Sequence, residues 1–545
     1  MSDRSSVHFV KGAAILGIAG LLSKLLGAVY RIPYQNIAGD IGLYVYMQVY
    51  PLYTTLLILA TAGFPIAISK LVSERLAVGD AYGARKAFRV ASITLFVLGL
   101  FFFLLLYAGA PLVATFMGDE KLTMPLRAVA WSLPLVPIAA IIRGYFQGQQ
   151  NMLPTGVSQV VEQLIRVIFI LIAAYWAMMV YDDAYLAGTG AVFAALPGAL
   201  AAVVVLLLFF RSNMRIQQSG REEILPTANS WTTRQVLKSL VYYALPICLG
   251  ALVLPLIPLV DSITVVNMLQ YSGMDEEMAK VVKGAFDRGQ PLIQFGTFFA
   301  TSLSLALVPA ISEAMAQGQH RVIASRTEVA LRLTSLLGIP ASFGLALLAE
   351  PVNVMLYGDA NGTEALAIQS FTIFFATLSI ATSGILQGLG QVMLPARHLF
   401  IGVIVKLVLN LILVPVAGIS GAALATVIAY LVAMMLNMMG IAKHTGAAVS
   451  MRKIIGKPLI AAVFMVGVVI LVEWATASIF EAIIPSTRLL QTMVALAAVG
   501  SGALVYLLAL LKTGGLTKED LRFLPRGGKM ISLLARLRLL RGERS

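Results

Sequence analysis

Charge is scarce in this sequence: Asp, Glu, Lys and Arg make up 12% of 545 residues, roughly half the share in a soluble globular chain. Cysteine is scarcer still. Cys248 stands alone, so no intrachain disulfide can form. The four histidines, His8, His320, His398 and His444, are scattered without metal-ligand spacing. There is no nucleotide-binding motif such as a P-loop, and no large loop with catalytic carboxylates, as a membrane glycosyltransferase or polymerase would need. Alternation over segments of about ten residues is also missing, which excludes a transmembrane β-barrel.

Long apolar runs fill the remaining space. Hydrophobic residues make up 59% of the chain, and runs of about 20 residues recur, each able to cross a hydrocarbon core roughly 30 Å thick. The sequence reads as an all-α polytopic membrane protein of about 14 transmembrane helices. They lie near 10–31, 44–68, 88–112, 125–146, 156–180, 186–210, 238–267, 291–312, 329–350, 366–387, 398–416, 420–442, 458–480 and 489–511. The first run follows Arg4 and Lys11 and has no clear cleavage site, so a retained first span is expected.

The net charge of +14 does not indicate nucleic acid. About 30 of the 40 Lys and Arg fall on one set of alternate loops and the termini, and about 7 on the other set. This asymmetry predicts a multi-pass membrane protein with both termini in the cytoplasm. The basic tail, with Leu533, Leu534, Leu537 and Leu540 among Arg536, Arg538 and Arg541, suits either an interfacial helix on anionic lipid or a solvated tail.

An internal repeat organises the chain. Gly144-Tyr-Phe-Gln147-Gly148 leads to Met152-Leu153-Pro154, and Gly384-Ile-Leu-Gln387-Gly388 leads to Met393-Leu394-Pro395. Pro65-Ile-Ala67-Ile68-Ser69 resembles Pro309-Ala310-Ile311-Ser312 at a similar offset. The expected division is an N-terminal six-helix lobe over 1–212, a cytoplasmic linker over 213–237, and a C-terminal six-helix lobe over 238–445. Two further helices follow over 446–512, then a basic cytoplasmic tail over 513–545. Lobes related this way enclose a substrate path between them.

Three cations interrupt the apolar runs: Lys24, Arg166 and Lys406. Each costs about 2.5–3.5 kcal/mol near the bilayer centre on insertion scales, so each is expected to face a protein-lined cavity or a partner. Gly17, Gly20, Lys24, Gly27 and Arg31 share one helical face, as do Gln159, Glu162, Gln163 and Arg166, and Gly402, Lys406 and Asn410. Lys24, Arg31, Arg166, Arg288, Glu162 and Lys406 are the candidate substrate-binding residues, and arginine forks match phosphate oxygens. Glu162 and Arg166, four residues apart, could instead neutralise each other. Asp261 is the candidate ion-coupling residue. Pro246, Pro255 and Pro258 mark the seventh span as the helix expected to bend.

The opening KGAAILGIAGLLSKLLGAVYRIPYQNIAG, the segment GFPIAISKLVSE and the paired QG…MLP motifs resemble the multidrug/oligosaccharidyl-lipid/polysaccharide exporter superfamily. The closest likeness is to the polysaccharide-biosynthesis branch that holds the stage V sporulation protein B type and the Gram-positive lipid II flippases of MurJ type. The resemblance spans the whole chain. It implies two six-helix lobes, alternating access, and an extra helix pair forming a groove for a lipid tail. On it, Ser23-Lys24-Leu25-Leu26-Gly27 places Lys24 where the family has a cavity arginine, and Asp287-Arg288 matches the family's Asp-Arg pair. A second family arginine aligns near Tyr30, one residue before Arg31, and a third finds Thr54 and Thr55 instead.

The resulting expectation is a flippase, not an enzyme, for an undecaprenyl-pyrophosphate-linked cell-wall precursor, most naturally lipid II. Its partners would be the anionic lipid-linked sugar, membrane lipid and cell-wall synthesis enzymes, with no nucleic acid. No cofactor is expected, and coupling would be to membrane potential or a monovalent cation. The alternatives are a flippase for another lipid-linked oligosaccharide and, less favoured by the mainly basic deep charges, a drug/cation antiporter.

Overall fold

The computed structural model describes residues 2–219, 231–445, 451–480 and 484–515. Every regular element among them is helical. Packing divides the chain into two compact units, Met1–Gln270 with Asp275–Gly284, and Tyr271–Met274 with Ala285–Ser545. The first unit holds α1 (Ser2–Val29), α2 (Arg31–Thr61), α3 (Phe64–Ala77), α4 (Ala81–Phe116), a 3-10 turn (Glu120–Leu122), α5 (Thr123–Ala130), α6 (Leu135–Gly148), α7 (Leu153–Tyr181), α8 (Ala184–Phe193), α9 (Ala195–Ser219), α10 (Thr233–Tyr271) and most of α11 (Glu276–Asp287). The second holds α12 (Gly289–Ala316), α13 (His320–Leu347), α14 (Ala349–Tyr357), α15 (Thr363–Gln369), α16 (Phe371–Gly388), α17 (Met393–Thr445), α18 (Met451–Phe480) and α19 (Thr487–Thr513). The basic tail and the centre of the expected linker lie outside the described residues.

The chain is a multi-pass membrane protein. Twelve described helical stretches are long and apolar enough to cross a bilayer, against the fourteen expected. The difference has a local cause. The expected spans 10–31 and 44–68 fall in one stretch of 63 residues, Ile15–Ala77, and 398–416 and 420–442 fall in one of 53, Met393–Thr445. A straight helix of 53 residues would run about 80 Å, far beyond a hydrocarbon core of about 30 Å.

Neither long stretch is straight. The backbone leaves the helical region at Gly39 (φ 67°, ψ −173°) and at Gly418 (φ 58°, ψ −140°), a combination open almost only to glycine. Beyond Gly418 the chain folds back, because a Cβ at Gly402 would lie 2.7 Å from the Ala429 carbonyl oxygen. The prolines of α10 behave otherwise. Pro246, Pro255 and Pro258 all lie inside one helix from Thr233 to Tyr271.

α10 packs with the first unit, which moves the division away from the expected linker at 213–237. The Gly63 N–H donates to Cys248 Sγ at 3.2 Å, Gln48 Nε2 donates to the Ser262 carbonyl at 2.7 Å, and the Lys70 ammonium sits 3.8 Å from the Tyr243 ring centre. Small residues allow this approach, since a Cβ at Gly63 would lie 2.1 Å from the Ala244 carbonyl oxygen. The start of α11 is tied to the same unit. Lys280, fully buried, pairs with Asp119 at 3.3 Å, while the hydroxyls of Tyr44 and Tyr185 donate to the other Asp119 oxygen.

The repeated motifs meet each other within each unit. Gly144 and Gly148 on α6 receive α3: a Cβ at Gly144 would lie 2.1 Å from Ile68 Cγ2, and one at Gly148 2.8 Å from the Ser69 carbonyl oxygen. Gly384 and Gly388 on α16 receive α12 in the same manner, with Ser304 and Ile311 as the close neighbours. The Gly-x-x-x-Gly spacing and the Pro-Ile-Ala-Ile-Ser segment are therefore the two halves of one helix–helix contact, used twice. α18 and α19 lie outside the repeat and pack on α13 through Leu333, Leu336, Met465 and Ala498, with the Tyr506 hydroxyl donating to the Leu336 carbonyl at 2.9 Å.

The two positive-φ breaks carry a stability prediction. Gly39→Ala and Gly418→Ala are each expected to cost about 1–3 kcal/mol, read as a lower thermal midpoint of the detergent-solubilised protein. Gly467→Ala, in a helix where a Cβ meets nothing within 4 Å, is the control and should leave the midpoint unchanged or raised. Equal midpoints for all three would show that the breaks are unstrained.

Candidate functional site

The site begins with a run of tyrosines. Six of the chain's 18 tyrosines, Tyr30, Tyr34, Tyr44, Tyr46, Tyr50 and Tyr53, fall within 24 residues. In a straight helix Tyr30 and Tyr46 would stand about 24 Å apart. The break at Gly39 returns the chain on itself, so the Tyr30 hydroxyl donates to that of Tyr46, and Tyr34 donates to the Gly42 carbonyl at 2.8 Å. The Tyr46 and Tyr50 rings stack at 5.2 Å, and Tyr53 follows at 6.2 Å.

Arg31 lies inside this cluster. It is 5% exposed, with its guanidinium carbon 5.9 Å from the Tyr50 ring centre. Nε and Nη1 are buried and have no hydrogen-bond partner. The Tyr30 hydroxyl oxygen hydrogen-bonds the guanidinium, and electron-rich ring faces offset part of the cost of burying the charge, but neither serves Nε or Nη1. Buried donors left unmade cost about 1–3 kcal/mol each. This corner of the fold therefore has unused capacity for an acceptor-rich anion.

Arg166 approaches the same tyrosines from α7, within electrostatic reach of Tyr46, Tyr50 and Tyr53. It is not bare. Glu162 accepts from Arg166 Nη2 at 2.7 Å and, through its other oxygen, from Arg143 Nη2 at 2.8 Å. Arg143 Nε also donates to Ser158 Oγ at 2.9 Å. Glu162 thus neutralises one of two arginines, and Arg166 Nε remains buried without a partner. Both Glu162 oxygens are taken up by arginines. Arg143 reads in the sequence as a loop cation at the end of the fourth span, and its role is visible only once α6 lies beside α7.

The remaining expected residues separate. Lys24 is exposed on α1, beside Gly17 and Gly20, where an added Cβ would meet nothing within 4 Å. It faces open space on the same helix whose other side, at Ile15 and Ala19, packs on Gly156 of α7. Asp261 is buried on α10 and has interaction partners of its own.

Two expected cavity cations are otherwise occupied. Lys406 is fully buried on the α17 face that also holds Gly402 and Asn410, and Gly402 packs against the returning half of that helix. It is not without a partner, and its full burial removes it from an open cavity. Arg288 is 1% exposed and forks onto Asp359, Nη1 to Oδ1 at 2.7 Å and Nη2 to Oδ2 at 2.9 Å. Tyr357 sits 5.2 Å from its guanidinium carbon and donates to its backbone carbonyl at 2.8 Å. A fork already closed on a carboxylate is not offered to phosphate. Asp359 reflects this pairing: burial alone would raise its pKa, yet the Arg288 hydrogen bonds and the Asn361 N–H hold it below the usual carboxylate range. Among the described residues no cluster of His, Cys, Asp and Glu could hold a metal.

Comparison with known proteins agrees with this architecture. The family model described as "Polysaccharide biosynthesis protein" matches residues 9–315, and a second model, MatE, matches 246–412. The uncharacterized membrane protein YabM of Bacillus subtilis (strain 168) is 36% identical over 531 residues, with 97% of each chain covered. The lipid II flippase MurJ of the same organism is 30% identical over 459 residues, covering 81% of this chain and 84% of that protein. A solved structure of "Lipid II flippase MurJ, inward closed conformation" superposes with a TM-score of 0.65 at 15% identity, covering 91% of this chain and 98% of the other. That last likeness is one of fold.

Two stability predictions follow from the ion pairs. Glu162→Gln leaves Arg143 and Arg166 facing each other partly buried, and should destabilise the protein by about 3 kcal/mol in reversible unfolding. Glu162→Gln combined with Arg143→Gln should recover most of the loss, and no recovery would mean the pairs are energetically separate. Asp359→Asn should lower stability at neutral pH. Because the folded carboxyl titrates below its unfolded value, the pair's contribution is present above about pH 4 and fades as pH falls through the depressed range. The midpoints of wild type and variant should converge in acid, and a gap that widens there would overturn the assignment.

Proposed function

The chain belongs to the polysaccharide biosynthesis protein family within the multidrug/oligosaccharidyl-lipid/polysaccharide exporter superfamily, and on that premise we propose that it flips an undecaprenyl-pyrophosphate-linked cell-wall precursor, with lipid II as the leading cargo. One observation carries the reading: Arg31 is a buried guanidinium among tyrosines with two nitrogens unpaired. A pyrophosphate would supply the missing acceptors, and charge-assisted bonds to it are about twice as strong as neutral ones. Arg166, within electrostatic reach of the same tyrosines, keeps a further buried donor, Nε, without a partner. Lys24, exposed on α1, is the first cation an approaching headgroup would meet. Arg288 and Lys406 take supporting roles within the fold.

The physical task of such a protein is to lower the barrier for a charged headgroup in a region where an isolated charge is costly. Cations held in place by packing replace the headgroup's water without reorganising. The lipid tail stays in the bilayer while the headgroup crosses by alternating access, and no bond is made or broken. The driving force is membrane potential or a monovalent cation, with Asp261 as the coupling group. Both termini lie in the cytoplasm on the loop-charge count. Cell-wall synthesis enzymes would receive the product.

A second reading keeps the mechanism and changes the glycan. The Arg31 corner addresses the pyrophosphate, which all such carriers share, and so fits another lipid-linked oligosaccharide equally. A drug-cation antiporter fits poorly, because a cationic drug would meet arginines.

Reconstitution in proteoliposomes tests both. Fluorescent lipid II and a second undecaprenyl-pyrophosphate glycan are followed by their accessibility to an impermeant quencher. Wild type should translocate one of them, and Arg31→Met should slow it by about tenfold or more, one charge-assisted hydrogen bond in the transition region. Its thermal midpoint should stay level or rise, since a buried unpaired charge has been removed. Full-rate translocation by Arg31→Met would remove the site from the mechanism. Movement of the second glycan alone would favour the other cargo.

A further inference from the structure

A cavity in the first unit is lined by none of the residues of the Arg31 corner. It has a volume of about 910 Å³ and opens among α4, α5, α7 and α8. Its walls are aromatic and aliphatic, with Trp131, Trp176, Phe169 and Phe193 among them. Residues on its rim point outward: Trp131 is 50% exposed, Trp176 51% and Ile172 63%. In a multi-pass protein such residues meet lipid, and Trp and Tyr gather at the level of the headgroups. The cavity is thus a lateral slot in the membrane-facing wall.

Its mouth carries charge of a particular kind. Arg127 lies 5.3 Å from the Tyr107 ring centre, and its Nε donates to the Tyr107 carbonyl at 3.4 Å. Among the described residues no carboxylate pairs with Arg127. Lys121, also on the rim, is already matched by Glu277 at 3.1 Å. Glu120 completes the rim and would repel a second negative charge on the occupant. The pattern is one unneutralised guanidinium above an apolar slot large enough for a small-molecule ligand, whose pockets run about 300–1,000 Å³.

We propose that this slot binds a membrane glycerophospholipid, with one acyl chain between Trp131 and Trp176 and the phosphodiester on Arg127. Free phosphate would match the cation and leave the slot empty. A diacylglycerol would fill the slot and leave the cation unmatched. A zwitterionic or singly charged phospholipid satisfies both, and Glu120 can accept from an ethanolamine or glycerol headgroup. The site is separate from the Arg31 corner, so it stands whether or not the proposed cargo is correct.

The test uses the full-length protein purified in detergent. Native mass spectrometry would be run with phosphatidylglycerol, phosphatidylethanolamine, diacylglycerol of the same chains, inorganic phosphate and undecaprenyl phosphate. A phospholipid with a photoreactive acyl chain would locate the site. Both phospholipids should bind and the label should fall in the segments around Trp131 and 169–176. Arg127→Gln should weaken binding about tenfold, the scale of one charge-assisted contact, and Arg127→Lys should restore most of it. Ala128→Trp, which fills the slot, should abolish the label at an unchanged melting midpoint. If that variant melts early, Met124→Trp on the rim serves instead. Equal retention of diacylglycerol, labelling that survives the filled slot, or labelling only by undecaprenyl phosphate would each overturn the assignment.

Discussion

The first unit is organised around a charge that it buries and does not neutralise. Arg31 sits at 5% exposure with two guanidinium nitrogens unpaired, which costs free energy that the rest of the unit must offset. Tyrosine faces lower that cost without removing it. The reversal at Gly39 makes the arrangement possible, because only a break in α2 brings Tyr30 and Tyr34 against Tyr46. A buried cation with donors left over is costly in an apolar run, and the proposed contact with an anion would offset that cost.

The contrast with the other buried cations sharpens this. Arg288, Lys280 and Arg166 are each met by carboxylates, and they hold helices and turns in place. Burial of a cation is common in this fold. Burial with donors left over is confined to Arg31 and, through one nitrogen, Arg166 among the described arginines and lysines. That remainder, not the depth of the residue in an apolar run, separates a ligand-facing cation from a structural one.

Much of the architecture was legible beforehand. The apolar runs announce a helical membrane protein because a bilayer leaves few other ways to satisfy the backbone. The Gly144–Gly148 and Gly384–Gly388 motifs were legible as a repeat, and the structure adds that their partners, Pro65–Ser69 and Pro309–Ser312, are the surfaces they pack against. The tyrosine run was visible but carried no message without the turn at Gly39. The Glu162–Arg166 pair is legible from its spacing of four, whereas the second partner, Arg143, cannot be found by helical spacing because it comes from another helix.

The sequence by itself determined the solvent of this protein, its helical class and the sign of its deep charge, since hydropathy and charge are properties of residues one at a time. Tertiary structure alone decided which buried cation keeps unpaired donors. Lys406 and Arg31 look alike along the chain, but one turns toward a returning helix and the other into a ring of tyrosines. Pairing depends on distances between residues far apart in sequence, and those distances exist only after the glycine breaks have folded the long helices back.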